Sequence, residues 1–251
     1  MLDLDGVLWR GPEVIPGSVD AVLRLLDAGL DVTFCTNNSS ATLEANEAAL
    51  TRLGIPAEGR VVTSASAVAT MVRSHERVLV AGGPGVREAL AAVGARLVAP
   101  GGDHGVAGGV DAVVVGYHRD FDYSSLTRAA VALRRGARLL ATNDDPVYPG
   151  ETGPLPGCGA LVAYLETAGG QRAEVAGKPN AAMATLLSAR HASAVFVGDS
   201  LDTDRAMAQR LGWPFGLVLT GNTAPDAVPA DLDPEWVGSD LASLVEARLG
   251  N

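Results

Sequence analysis

Two aspartates, Asp3 and Asp5, stand two residues apart at the end of a short apolar run and directly before Gly6. In an extended chain that spacing turns both side chains toward one face. Two carboxylates held together repel each other unless a cation or a proton joins them. The pattern therefore fits either an ordinary Asp-x-Asp-Gly turn or a working pair. In the working pair one carboxylate is a nucleophile or metal ligand, and the other, re-aimed by the glycine, gives and takes a proton.

Three further groups have the same placement after an apolar run. Thr36-Asn37-Asn38-Ser39 follows Val32–Cys35 and precedes a helix-like stretch expected over Ser39–Leu53. It fits a helix N-cap, or a phosphate cradle in which backbone N–H groups and a hydroxyl face an anion. A strand-end position favours the cradle, because ligands of open α/β sheets bind at the carboxyl ends of strands. Lys178 lies between Gly177 and Pro179 ahead of another helix-like stretch, and could equally be a surface lysine. Asp199, Asp202 and Asp204 fall within Gly198-Asp199-Ser200-Leu201-Asp202-Thr203-Asp204. That density of acids at a strand end exceeds what a helix cap requires and suits a hard cation bound through oxygen.

The elements that must position these groups alternate. Apolar runs at Leu2–Leu4, Asp31–Cys35, Arg60–Thr63, Arg77–Val80, Asp111–Val115, Arg138–Ala141, Ala194–Val197 and Phe215–Leu219 read as strands. Amphipathic stretches at Ser18–Ala28, Ser39–Leu53, Ser64–Ser74, Ser124–Arg135, Ala160–Ala168, Asn180–Ala189 and Asp202–Leu211 read as helices. The alternation predicts an α/β protein built from βαβ units around a mostly parallel sheet. The polar stretch Arg73–Arg77 and the segment Gly169–Lys178 look like joints, which would make the middle third an insertion.

The chain's 251 residues allow one large domain or two modest ones. Apolar residues at 47% against 19% charged exclude disorder as the whole answer. A net charge of -10 has the wrong sign for holding a nucleic-acid polymer or an anionic membrane. No apolar run approaches the roughly 20 residues of a bilayer span, and the start MLDLDG carries acids where a secretory leader carries bases. Cys35 and Cys158 are far apart with no CxxC spacing, so a reducing cytoplasm is expected. His75, His104, His118 and His191 lack metal-ligand spacing. Trp9, beside the first pair of acids, is expected to pack a hinge or shape a cleft.

In order, DLDGVL, TNNSS, GKPN and GDSLDTD resemble the four motifs of the haloacid dehalogenase-type (HAD) phosphatase superfamily. The stretch ARLLATNDDPVYPGETGPLPGCGALVAYLE and its run into AGKPN resemble the cap and return linker of the NagD-like, p-nitrophenyl phosphatase-like class IIA branch. The resemblance implies a Rossmann-like three-layer core of residues 1–76 and 172–251, with residues 77–171 as an inserted α/β cap. It implies a Mg²⁺-dependent phosphomonoesterase acting on a small-molecule substrate, and homodimerisation through the class II cap as a further expectation.

By the same resemblance Asp3 is the nucleophile and Asp5 the acid and base. Thr36 and the Asn37 backbone hold phosphoryl oxygens, Asn38 shapes the loop and Lys178 balances the anions. The metal is held by Asp3, Asp199 and the carbonyl of Asp5, with Asp204 bound more remotely. The presence of Asp5 favours ester hydrolysis over dehalogenation, since a halide leaving group needs no proton. Asn143, Asp145 and Tyr148 fall where the family's cap places specificity residues, although Asp144-Asp145-Pro146 also reads as a plain turn. Family members carry several apolar residues before the first aspartate, so a truncated first strand is expected here.

Two other readings compete. Val78–Gly85 could be the strand and glycine turn of a nucleotide-binding unit, but Gly83-x-Gly85-x-x-Glu88 puts an acid where the third glycine belongs. A catalytically silent homologue would use the same fold as an interaction surface, and the retained charges of Asp3, Asp5, Lys178 and Asp199 argue against it.

Overall fold

The computed structural model describes residues 1–98, 109–150 and 153–250. His104 lies outside them. The chain forms two compact units, one of Met1–Thr36, Glu44–Val62 and Ala184–Asn251, the other of Asn37–Leu43 and Thr63–Met183. The expected insertion, residues 77–171, lies wholly in the second.

In the first unit, buried three- and four-residue strands Phe34–Thr36, Phe196–Gly198 and Phe215–Val218 carry the core. Phe196–Gly198 pairs in parallel with Phe215–Val218, which pairs in parallel with Val237–Gly238. Strands this short are near-continuously apolar because both faces are covered.

The expected strand Leu2–Leu4 contracts to a single residue. Leu2 makes parallel bridges to both Phe34 and Val197, and then the chain coils. The Leu4 carbonyl accepts the N–H groups of Val7, Leu8 and Trp9, and Gly6 takes φ +83°, a conformation open to glycine. Helix Leu241–Leu249 starts with a reciprocal cap, in which the Asp240 carboxylate accepts the Ser243 N–H at 2.7 Å and Ser243 Oγ accepts the Asp240 N–H at 3.2 Å.

The second unit has a five-stranded parallel sheet in the order Glu174–Val175, Arg138–Ala141, Ala112–Val115, Arg77–Ala81, Arg96–Leu97. Helices Tyr123–Arg134 and Cys158–Gly169 pack on it through Leu133 and Leu165, against Leu79, Val113 and Leu139. A hairpin of Val147–Gly150 with Gly153–Pro156 precedes the second of these helices.

Several expected helices are shorter, each for a local reason. The helix expected from Ser39 begins at Leu43, because Asn38 Oδ1 accepts from both the N–H and the hydroxyl of Ser40, at 3.0 and 2.7 Å. Such side-chain turns compete with helix formation. The helix expected over Ser64–Ser74 ends at Ala69. The one expected from Asp202 opens as a π-helical turn, Leu201–Arg205, and becomes α-helical at Ala206.

The glycine turn that invited a nucleotide-binding reading has a packing explanation. A Cβ on Gly83 would lie 2.8 Å from the Ser40 carbonyl oxygen, and one on Gly85 would lie 2.8 Å from the Ser39 carbonyl oxygen. Both glycines thus let the segment 39–41 pass close to the start of helix Pro84–Ala92. Glu88, on that helix, accepts the Leu43 N–H at 2.6 Å.

Candidate active site

Within the first unit, Asp3, Asp199 and Asp204 are all buried, with exposures of 7%, 1% and 0%. One carboxylate oxygen of each lies within 4.8 Å of the others. The geometry follows from the sheet. The Asp3 N–H donates to the Val197 carbonyl at 2.9 Å, and Asp199 follows the strand Phe196–Gly198, so Asp3, one residue past the Leu2 bridge, stands beside Asp199 at the carboxyl end of that strand. Asp204 reaches back from the π-helical turn, and its Oδ2 accepts the N–H groups of Asp199 and Ser200, each at 3.1 Å.

Three buried carboxylates this close raise one another's energy unless a cation or protons intervene. An all-oxygen donor set of like charges fits a small hard divalent cation. Asp202, the other acid of residues 198–204, is exposed and stands outside the triplet. The Asp5 carboxylate is not part of the triplet of side chains; it is half-buried, and its Oδ1 accepts the Trp9 indole N–H at 3.2 Å. Thr36 is buried at the end of its strand.

A loop that sequence reasoning passed over completes this centre. The Asn222 N–H donates to Asp199 Oδ2, while the N–H and hydroxyl of Thr223 donate to the Asp199 carbonyl at 3.1 and 2.6 Å. Thr220 Oγ1 donates to the Gly6 carbonyl. The signal was available, since Thr220-Gly221-Asn222-Thr223 follows the apolar run Phe215–Leu219 as the other motifs follow theirs.

Gly6 is required twice, by its φ of +83° and because a Cβ there would lie 2.6 Å from Asp199 Cγ. Gly6→Ala is expected to lose about 1–2 kcal/mol from the left-handed backbone alone, and to displace Asp199 so that Mg²⁺ binds at least about tenfold more weakly, one hydrogen-bond-sized loss. Urea unfolding and titration calorimetry measure the two effects. Unchanged Mg²⁺ affinity would show that Gly6 does not shape the cation site.

In the second unit the structure gathers the other candidates. Asn37 Nδ2 faces both Asp145 oxygens at 3.3 and 3.1 Å and the Lys178 carbonyl at 3.1 Å, and Asn37 Oδ1 accepts the Lys178 N–H at 2.8 Å. The Asn37 carbonyl accepts from Asn143 Nδ2 at 2.7 Å and from Ser64 Oγ at 2.6 Å. Asn143 Oδ1 in turn accepts the Asp145 N–H at 3.2 Å. Asn38 Nδ2 donates to the Tyr148 hydroxyl at 3.3 Å, and the Tyr148 ring stacks on Tyr117 with centroids 4.6 Å apart.

Lys178 is 1% exposed, and Gly177 lets it in, because a Cβ at that glycine would lie 2.5 Å from Asn37 Oδ1. Asn37, Asn143, Asp145 and Lys178 thus share one hydrogen-bonded network, and the neighbouring Asn38 holds Tyr148. Beneath it, Cys158 Sγ lies 3.8 Å from Thr142 Oγ1. Burial pushes the Cys158 thiol up to about 12, so it stays protonated and unreactive at neutral pH.

The family description "Haloacid dehalogenase-like hydrolase" matches residues 1–96, and "HAD-hydrolase-like" matches residues 175–244. D-glycerol 3-phosphate phosphatase of Mycobacterium tuberculosis is 40% identical over 254 residues, a match covering 97% of this chain and 70% of the relative. The chain belongs to the haloacid dehalogenase-like hydrolases. Among solved structures of HAD-family relatives, glycerol phosphate phosphatase from M. tuberculosis in complex with magnesium superimposes with a TM-score of 0.85 at 39% identity, over 97% of this chain and 75% of the other. The p-nitrophenyl phosphatase from Archaeoglobus fulgidus does so with a TM-score of 0.86 at 29% identity, over 98% and 97%. The HAD α/β fold is therefore shared along nearly the whole chain.

Proposed function

We propose that this HAD hydrolase cleaves small phosphate monoesters at Asp3, with glycerol phosphate the first substrate to test. The enzyme is a phosphoric monoester hydrolase and Mg²⁺ is its cofactor. The observation that carries the reading is the buried convergence of Asp3, Asp199 and Asp204, an arrangement that needs a cation to be tolerated. The likeness to glycerol phosphate phosphatase supports the choice of substrate.

In this reading Asp3 attacks phosphorus as the bond to the alcohol oxygen breaks, and Asp5 delivers the proton that the departing alkoxide takes up. Asp5, now a carboxylate, then takes a proton from the water that attacks the aspartyl-phosphate. Phosphate leaves and Asp3 is restored. Thr36 Oγ1 and the Asn37 N–H hold phosphoryl oxygens, and the Lys178 ammonium offsets the charge of nucleophile and phosphate. When bound by Asp3, Asp199 and the Asp5 carbonyl, with Asp204 behind, Mg²⁺ supplies the positive charge that lets two anions meet.

Residues 77–171 act as the cap, and Asn143, Asp145 and Tyr148 contact the leaving group. The two cysteines, buried and not joined by a disulfide, support a cytoplasmic site of action, and the class II cap supports a homodimer. Among the described residues, no helix is long and apolar enough to cross a membrane.

Phosphate release from a panel of monoesters tests the function, and Asp5→Asn tests the acid. The wild type is expected to hydrolyse glycerol phosphate and p-nitrophenyl phosphate. In the first half-reaction, read as pre-steady-state release of the alcohol, Asp5→Asn is expected to slow the alkyl ester by about 10²–10⁴-fold, the usual worth of a general acid, and the aryl ester far less, because nitrophenolate leaves without a proton; hydrolysis of the aspartyl-phosphate slows alike for both. An equal loss of release rate on both substrates would remove Asp5 from the acid role.

A further inference from the structure

The turn that carries Asp5 also returns Trp9 onto it. Asp5 and Trp9 form a bridge, the Gly6 N–H donates to the Trp9 carbonyl at 2.7 Å, and the Trp9 N–H reaches the Leu4 carbonyl at 3.3 Å. The far side of Trp9 is fixed as well. It pairs with Val14 in the short hairpin that Arg10 and Glu13 continue, and the Ile15 N–H donates to the Leu8 carbonyl at 2.9 Å. The indole is thus placed by backbone on both sides, with Nε1 3.2 Å from Asp5 Oδ1.

An indole N–H donates and cannot accept. While it holds Oδ1, that oxygen is an acceptor in this bond, and a proton on the Asp5 carboxyl belongs on Oδ2. We infer that Trp9 is a positioning residue for the reaction. By donating to Oδ1 it fixes the rotation of the Asp5 carboxyl and assigns the transferable proton to the other oxygen. This inference rests on the reading of Asp5 as general acid and adds to it which oxygen delivers. Trp9 need not touch the substrate to act. Its effect should therefore appear in the step that needs a proton and be absent from the step that does not.

The experiment compares KM and the pre-steady-state rate of alcohol release, the step ahead of the shared hydrolysis of the aspartyl-phosphate, on glycerol phosphate and on p-nitrophenyl phosphate. Trp9→Phe removes the donor and keeps an aromatic ring. It is expected to lower the release rate on the alkyl ester about tenfold, the scale of one hydrogen bond to a charged group, with little change on the aryl ester and in either KM. Trp9→His offers a ring N–H the same number of bonds from Cβ, and is expected to restore part of the alkyl rate.

Should Trp9→Phe fail to fold, replacing the indole of Trp9 by benzothiophene deletes the N–H at nearly constant shape and carries the same expectation. A purely structural role would move both substrates together, so equal losses, or no loss on either, overturn the inference. Asp5→Asn is run alongside. If it discriminates between the esters and the Trp9 variants do not, only the positioning role falls. If it does not discriminate, the reading of Asp5 falls and takes the role of Trp9 with it.

Discussion

Asp3→Asn will lower turnover of p-nitrophenyl phosphate by at least about 10⁴-fold, because an uncharged amide oxygen cannot serve as the attacking group and no other step bypasses it. The same substitution should stabilise the metal-free protein. Asp3 is one of three buried carboxylates within 4.8 Å of one another, and neutralising one relieves repulsion that the fold otherwise tolerates for function. The melting temperature in EDTA should rise by about 2–4 °C for each kcal/mol recovered. Retained activity in a pure sample would refute the nucleophile assignment. A lower melting temperature would mean that the triplet is not strained by like charge.

Removing the cation should have an effect of similar size. EDTA is expected to reduce kcat by about 10³-fold, since several kcal/mol of charge stabilisation are lost, and added Mg²⁺ should restore it. Binding should also be visible without turnover. Mg²⁺ at a hundred times its dissociation constant adds about 2.7 kcal/mol to stability. That gain should appear as a thermal shift in the wild type and shrink in Asp199→Asn. Turnover unaffected by EDTA, or an equal thermal shift in both proteins, would show that these acids do not hold the metal.

Much of the fold could be read from the chain because its central strands are short, apolar and largely buried. Apolar runs such as Arg138–Ala141 leave no ambiguity of period, and the structure places a strand on those four residues. The acids were legible for a related reason, since a charge immediately after a buried strand has few structural uses.

What could not be read depends on bonds between distant or irregular pieces. Leu2 pairs on both sides without extending into a strand, because Gly6 and the turn from Leu4 to Trp9 take the chain away. The start of the helix at Leu43 was decided by Asn38 bonding Ser40, a contest between side chain and backbone that no periodicity reports. The hold of Asn222 and Thr223 on Asp199 spans more than twenty residues, through two backbone N–H groups and the Thr223 hydroxyl, and the polar run after Phe215–Leu219 hints at it without saying which acid it reaches. The bond from Trp9 to Asp5 needs a turn geometry that only coordinates supply.

The Met1 amine donates to the Val195 carbonyl, a partner 194 positions away, and the Asp3 N–H finds its acceptor in Val197. Val197 must therefore leave the ribosome before Asp3 gains this partner. Until then the reactive carboxylates stay apart, so the nascent chain is spared a costly charge cluster and also lacks any competence for turnover. Cleavage or premature termination anywhere upstream of that late strand should abolish the catalytic centre as a whole, rather than trim an accessory part from it.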